Sequence, residues 1–308
     1  MDRTNIQDAG GGPGQLTIDD CPPRDKLRDL RVRAAALSRR LPPYAIVGRR
    51  SAAWLWGLDV LPPGVSQYDW PVEMLVPPGR SPPRRAGCRC YVSAYDDGDV
   101  AVLDGTRLTS RERTALDCAR WLPRLQAVAA LDQFLRGGVD RAALTARAAA
   151  LAGERNARQL REVIVLGDGG AMLPGESWTR TVIVDTGFPR PQTQIPVRGP
   201  LGTWLFVDLG YARYRVGVEY DGEQHHISPR DREHDESRRR RLRKELSWEI
   251  IAVTKADVLA EPYPFLAALM TALFERGWSP DDEELNDICT RLDRLNRRQT
   301  GRRQRTRT

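Results

Sequence analysis

The sequence lacks a long apolar segment, a secretory signal and a regular cysteine framework, and each absence excludes a class of protein. No run of about 18 apolar residues occurs, so we expect no transmembrane helix and no membrane partner. The opening residues MDRTNIQDAGGGPGQLTIDD show no basic start followed by an apolar block, so we expect no signal peptide. The five cysteines are odd in number and scattered, which indicates a reducing compartment. These features together predict a cytoplasmic protein.

The length and composition predict two globular domains. A chain of 308 residues can bury two cores, and its 41% apolar and 29% charged residues are typical of a folded protein. Residues 1–23 are rich in Gly, Pro and Asp, which favours a disordered leader. The alternation of helical and strand patterns then predicts an α+β domain over 24–150, a second mixed α/β domain over 151–277, and a helix with a basic tail over 278–308.

Positive charge is concentrated at the C-terminal end. Residues 291–308 contain eight arginines and one acid, Asp293, so this segment alone carries the net charge of +7 of the whole chain. Such a segment is typical of a solvated extension and equally of an arm that binds phosphates without sequence preference. Both interpretations stay open from the sequence.

Carboxylates placed in strands are the most specific chemical signal. The segment DLGYARYRVGVEYDGEQHH puts Asp208, Glu219 and Asp221 on two adjacent short strands. Each carboxylate there must be solvated, paired or bound to a cation. Two of the three histidines of the chain, His225 and His226, follow directly. The pattern favours a site for a hard divalent metal ion.

Elements around these acids follow the order α-β-β-β-α-β. A further acid, Glu176, lies near the start of the first helix, where the helix dipole also favours a carboxylate. The predicted elements are, in order, a helix over Pro174–Asp185, strands over Gln192–Val197, Trp204–Leu209 and Arg215–Asp221, a helix over 230–246 and a strand over Trp248–Val253.

VDLGYARYRVGVEYDGEQHH, followed by RRLRKELSWEIIAVTKADV, resembles the PD-(D/E)XK nuclease superfamily over residues 172–275. The likeness is greatest to endonuclease domains related to very-short-patch-repair endonucleases, although Ser247 stands where that family has Gly. The resemblance implies a restriction-endonuclease-like core and cleavage of DNA with Mg²⁺ or Mn²⁺. It implies that the metal is held by Asp208, Glu219 and the Tyr220 carbonyl, and that Glu176 positions metal-bound water or a second metal.

One position departs from the superfamily pattern. Asp221 stands where the superfamily has Lys, and an aspartate cannot offset negative charge or orient water as a lysine does. Asp221 would then bind metal or orient a histidine. His225 or His226 becomes the candidate for the general base, or for the acid that protonates the leaving group, because imidazole titrates near neutral pH.

The first half has a resemblance of its own. AIVGRRSAAWLWGLDVLP, VEMLVPPGR and LTSRERTALDCAR are similar to AbiEi-type antitoxin domains of bacterial abortive-infection systems. This resemblance implies a cognate toxin as a partner. Trp54 and Trp56 within it could form a base-stacking platform, but their spacing points to different faces of a helix, so we favour core positions for both.

Three functions of different class explain these features to different extents. The first is a metal-dependent DNA endonuclease acting in repair or in defence against foreign DNA. The alternative is a noncatalytic DNA-binding or antitoxin-like regulator that retains a nuclease fold. A protein-interaction module that uses the basic tail leaves the acid cluster unexplained. The expected partner is DNA, while a homodimer and a toxin–antitoxin pair remain open.

Overall fold

The computed structural model describes residues 29–199, 202–222 and 238–305, and these form a mixed α/β protein with two mixed sheets. The predicted leader, residues 1–23, lies outside the described residues. The elements of the first half are α1 (Leu30–Arg40), β1 (Ile46–Val47), α2 (Arg49–Leu55), β2 (Val72–Val76), β3 (Cys88–Val92), β4 (Val100–Leu103), β5 (Thr106–Thr109), α3 (Arg111–Trp121), α4 (Arg124–Arg136), α5 (Arg141–Ala150) and α6 (Ala157–Leu166).

The first sheet has the strand order β3-β2-β1-β5-β4. β1 pairs antiparallel to β2 and parallel to β5, β2 pairs parallel to β3, and β4 forms an antiparallel hairpin with β5. Asp104 and Gly105 connect that hairpin with φ values of 49° and 74°, a conformation that Asp-Gly adopts in tight hairpin turns. Helices α1 and α2 pack on this sheet, and α3 to α6 form a second apolar core beside it.

The second half follows the α-β-β-β-α-β order that the sequence predicts. Its elements are α7 (Pro174–Asp185), β6 (Gln192–Arg198), β7 (Trp204–Tyr211), β8 (Val216–Asp221), a helical segment over 238–244, β9 (Glu249–Thr254), α8 (Lys255–Leu259), α9 (Tyr263–Glu275) and α10 (Asp282–Arg305).

The second sheet has the strand order β6-β7-β8-β9 and is covered on both faces. β6, β7 and β8 pair antiparallel, and β9 lies parallel to β8. One face packs against α7, α9 and α10 through a large apolar cluster that includes Val218 and Val253. The other face packs Ile250 and Val207 against Leu242 of the 238–244 segment. This arrangement places the end of β8 near the start of α7.

The two halves are joined through helices α4 and α7. Arg180 and Asp132 form an ion pair with both side chains inaccessible to solvent, and Arg180 also donates to the Leu166 carbonyl. At the protein surface, Arg124 donates to both carboxylate oxygens of Asp185 at 2.8 Å. The helix that carries Glu176 is therefore held by the first half of the chain.

Different residues precede two of the helices. Gly48 precedes the first residue of α2, and Ser51 lies inside the helix, where its hydroxyl contacts Pro71 and Glu73. The last helix begins at Asp282, after Asp281 caps it by accepting from the Glu284 N–H at 2.8 Å, and it continues to Arg305. Much of the expected basic tail is thus helical. Among the described helices, none is long and apolar enough to cross a membrane.

Candidate functional site

Glu176 lies in the first turn of α7 and is 2% exposed. Pro174 is suited to this start because its missing N–H would have no helical partner there. The Glu176 Oε2 atom accepts the N–H of Met172 at 2.9 Å and the side-chain amide of Gln194 at 3.2 Å. Burial raises the pKa of Glu176, and these hydrogen bonds partly oppose the rise.

Asp208 lies where the side-chain alternation of β7 is interrupted. Val207 packs on one face of the sheet and Leu209 on the other, although residues two apart in a regular strand share a face. The last ladder pair between β7 and β8 is Leu209 with Val218, and the Asp208 Oδ2 atom accepts the Tyr220 N–H at 3.2 Å. Interruptions of this kind re-aim side chains next to functional sites.

Asp208 is electrostatically coupled to the other two acids. Burial and the negative charges of Glu176 and Glu219 raise the pKa of Asp208 to about 7, while Arg238 opposes the rise. A buried carboxyl whose pKa is raised further by neighbouring acids is typical of functional sites. Glu176, Asp208 and Glu219 come from three different elements and interact electrostatically through Asp208, and together they are called the acid cluster.

Glu219 is completely buried and is paired with two arginines. The Arg239 Nε atom donates to Glu219 Oε2 at 2.7 Å, and the Arg238 Nη2 atom donates to the same oxygen at 3.1 Å. Arg238 Nη1 lies 3.0 Å from Glu219 Oε1 as an ion pair and donates to the Phe206 carbonyl at 2.6 Å. Both arginines come from the helical segment 238–244.

Asp221 and Tyr220 lie at the end of β8, and their side chains are on opposite faces of the sheet. The Asp221 side chain is 45% exposed, and both its oxygens accept from Arg239. The Tyr220 ring packs on the other face, edge-on to Trp178 with ring centroids 6.4 Å apart. Metal binding by the Tyr220 carbonyl stays a prediction. His225 and His226 lie outside the described residues, so their roles also stay predictions.

The chemistry of the acid cluster fits a hard divalent cation, although the side chains are not gathered into one ligand shell. Within the described ranges, no group of three His, Cys, Asp or Glu side chains is close enough to hold a metal ion. Carboxylate oxygens are nevertheless the ligands that Mg²⁺ prefers. A cation here would relieve the repulsion that raises the Asp208 pKa, and it would compete with Arg238 and Arg239 for Glu219.

The pairing of Arg238 and Arg239 with these acids and the hydrogen bond of Gln194 were not predicted. The run of four arginines over residues 238–241 is visible in the sequence, but spacing alone does not show which carboxylates it pairs with. Gln194 has a φ of 48°, a strained conformation that the sequence does not predict.

Two comparisons place the chain among known proteins. Residues 44–166 match the family of the AbiEi antitoxin C-terminal domain. Two uncharacterized proteins of Mycobacterium tuberculosis, MT2308 and Rv2248, are each 30% identical over 236 residues, which is 76% of this chain and 83% of theirs. No solved structure matches. The chain therefore belongs to the same family as these two mycobacterial proteins, and its first half is similar to the C-terminal domain of AbiEi antitoxins.

Proposed function

We propose that the chain is an antitoxin-like regulator of a toxin–antitoxin or abortive-infection system. The observation that carries this proposal is the match over residues 44–166, which coincides with structural boundaries. It begins two residues before β1 and ends at Leu166, the last residue of α6, so it takes in the complete first sheet and helices α2 to α6. Because the match covers one complete folded domain, it supports an antitoxin-like role for that domain. A toxin partner belongs to this proposal.

Growth rescue tests this role. The protein encoded beside the chain's gene is expressed from an inducible promoter, with and without the full chain. Growth arrest that the chain relieves, together with a complex of the two proteins in pull-down, is the expected result. A neighbouring protein that arrests growth to the same extent in the presence of the chain would contradict the proposal.

We infer a second function, metal-dependent hydrolysis of DNA, from the acid cluster. Its specific support is Asp208, whose pKa is raised to about 7 by burial and by the negative charges of Glu176 on α7 and Glu219 on β8. The α-β-β-β-α-β order around the cluster agrees with the resemblance to PD-(D/E)XK nucleases. This activity and the regulatory role can belong to one chain, because they rest on different parts of it.

Each residue of the site has a task in that reaction. Asp208 and Glu219 would hold Mg²⁺ or Mn²⁺, which would polarise the phosphate and lower the pKa of a bound water. Glu176, fixed by Met172 and Gln194, would orient the attacking water. Arg238 and Arg239 would exchange their carboxylate partners for phosphate oxygens, which guanidinium groups bind in the same bidentate geometry. His225 or His226 would supply the proton of the leaving group.

Plasmid nicking tests the activity. Purified protein with Mg²⁺ or Mn²⁺ is expected to nick supercoiled plasmid, and Asp208→Ala or Glu219→Ala is expected to reduce the rate at least about a hundredfold, comparable to the loss of one preorganised catalytic group. Glu249→Ala is the matched control, since Glu249 is an exposed acid at the start of β9 in the same sheet. Undiminished nicking by the Asp208 and Glu219 variants would assign any activity to a contaminant. Absence of nicking on every DNA form and with either metal would leave the regulatory role alone.

A further inference from the structure

A cavity of about 390 Å³ lies between the two halves of the chain. The first half lines it with Trp54, Gln126 and the loop over residues 59–67, and the second half with Trp178, Tyr220 and Lys255. Its size falls in the range of roughly 300–1,000 Å³ that is typical of small-molecule pockets. Neither proposed function accounts for it.

Aromatic side chains from both halves form the walls of this cavity. Trp178 and Tyr220 meet edge to face with their ring planes at 89°, so they present two differently oriented aromatic surfaces. Trp54 of the first half lines the cavity. Trp56 does not, and its indole N–H donates to the Thr109 carbonyl at 3.0 Å. Only one of the two neighbouring tryptophans therefore lines the cavity.

The position of the Tyr220 ring is fixed by a glycine. A Cβ atom on Gly175 of α7 would overlap the Tyr220 ring atoms Cε1 and Cζ. The absence of a side chain at Gly175 lets the ring lie against the helix, beside Trp178. This wall is therefore built by close packing of α7 against the end of β8.

One polar group at the cavity has hydrogen-bonding capacity that the described protein neighbours do not use. The Gln126 amide oxygen accepts from Arg50 Nη2 at 2.8 Å, so its NH₂ group is what it can offer to a ligand.

The cavity also adjoins the acid cluster. Tyr220 stands between Glu219 and Asp221 on β8, and its ring points to the opposite face of the sheet from the arginine-paired carboxylates. The arginine pair therefore lies outside the cavity, and a ligand there would contact the lining residues alone. Aromatic faces together with a side-chain amide donor are complementary to one class of ligand.

We propose that this cavity binds a nucleobase, packed against the Trp54, Trp178 and Tyr220 rings and hydrogen-bonded to the Gln126 amide. The base belongs either to a free mononucleotide or to a single-stranded nucleic acid. Binding requires neither a toxin nor hydrolysis, so it stands apart from both proposed functions.

Fluorescence of 2-aminopurine tests the proposal, because emission of this base analogue is quenched by stacking. One probe is 2-aminopurine riboside 5′-monophosphate, and the other is a short oligothymidylate with one central 2-aminopurine. Both are titrated with the full chain in the absence of divalent metal. Saturable quenching of either probe supports the proposal, and quenching of the oligonucleotide alone identifies the ligand as a nucleic acid strand.

Matched tryptophan variants locate the binding site. Trp178→Leu and Trp54→Leu are expected to weaken binding at least about tenfold, as loss of a stacking platform does. Trp204→Leu is the control, since Trp204 is 60% exposed on β7 and does not line the cavity. Trp178→Phe keeps an aromatic ring of smaller area, so an intermediate loss of about three- to tenfold is expected even if the leucine variant fails to fold.

Binding and hydrolysis fail in distinguishable ways, because both titrations contain no divalent metal and therefore report binding alone. No quenching of either probe, or equal affinity in wild type, Trp178→Phe and Trp54→Leu, would overturn the nucleobase site while leaving the nicking result untouched.

Discussion

At the scale of single residues, the charge state of Asp208 links the acid cluster to stability. Its pKa of about 7 in the folded protein is far above that of an unfolded aspartate, so the folded state binds the proton more tightly. The free energy of unfolding must then fall as the pH rises from about 4 to about 7, because the unfolded chain ionises first. We expect Asp208→Asn to match wild type near pH 4 and to be more stable at pH 8, by up to about 4 kcal/mol.

Urea unfolding at a series of pH values measures this difference. Asp293→Asn on the exposed side of α10 is the control and should follow wild type at every pH. Mn²⁺ added at pH 8 should stabilise wild type more than Asp208→Asn, since only wild type has the full carboxylate set. Parallel pH profiles for Asp208→Asn and wild type would show that the pKa of Asp208 is not raised in the folded protein.

Gly175 provides a residue-scale prediction in which two effects have opposite signs. Alanine in place of a helical glycine normally stabilises by about 1 kcal/mol. At Gly175 the added Cβ would overlap the Tyr220 ring, and overpacking typically costs about 1–3 kcal/mol. We expect Gly175→Ala to lower the free energy of unfolding, whereas Gly301→Ala, at a helical glycine where an added Cβ would meet open space, should be neutral or stabilising. Thermal unfolding measures the melting temperature of both variants. Equal shifts in melting temperature would contradict the close approach of Gly175 to the Tyr220 ring.

At the scale of elements, the packing of α4 on α7 depends on the buried pair Asp132–Arg180. Asp132 Oδ1 also accepts the Asp168 N–H at 2.6 Å, so its charge is satisfied from two sides. Removing one partner leaves the other charge buried and unpaired, which costs about 3–5 kcal/mol. We expect Arg180→Met to be destabilised by this amount, and the double variant Asp132→Leu/Arg180→Met to regain most of it.

A double-mutant cycle by chemical denaturation measures this coupling. Additive losses in the two single variants would show that the pair does not hold the helices together. Glu176 lies one turn before Arg180 on α7, so loss of the pair should also disturb the acid cluster. Reduced nicking in Arg180→Met that recovers in the double variant would separate this positioning effect from a direct role.

The elements also show which parts of the molecule the sequence could predict. β2, β3 and β4 have the predicted bounds because apolar and β-branched residues there are bounded by Pro and Gly turns. The hairpin of β4 with β5 was missed although Asp104-Gly105 is a strong turn signal, and β1 has only two residues, too few for any periodicity. The position of Asp208 and Glu219 on two paired strands was predictable from the sequence, whereas their role in a metal site stays a prediction. Their arginine partners were not predictable, since the pairing depends on where the 238–244 segment packs.

At the scale of the whole molecule, the basic C-terminal segment is part of a helix attached to the fold. Ile288 and Leu292, one turn apart on α10, are buried against the core of the second half, while Arg297 and Arg298 are exposed beyond them. Arginines on a helix fixed in this way keep a defined position relative to the acid cluster. Phosphate binding by these arginines stays a prediction.

Salt dependence of DNA binding tests that interpretation. Each arginine that neutralises a phosphate contributes about 0.9 to the slope of log K against log salt concentration. We expect Arg297→Gln/Arg298→Gln to reduce the slope by about 1–2 and to weaken binding to all DNA sequences alike. Arg84→Gln/Arg85→Gln is the matched control, because it removes two equally exposed cations from the loop before β3. An equal fall of the slope in both double variants would mean that net charge alone attracts DNA, whereas a fall confined to the α10 variant identifies this helix as the contact that brings the strand to the acid cluster.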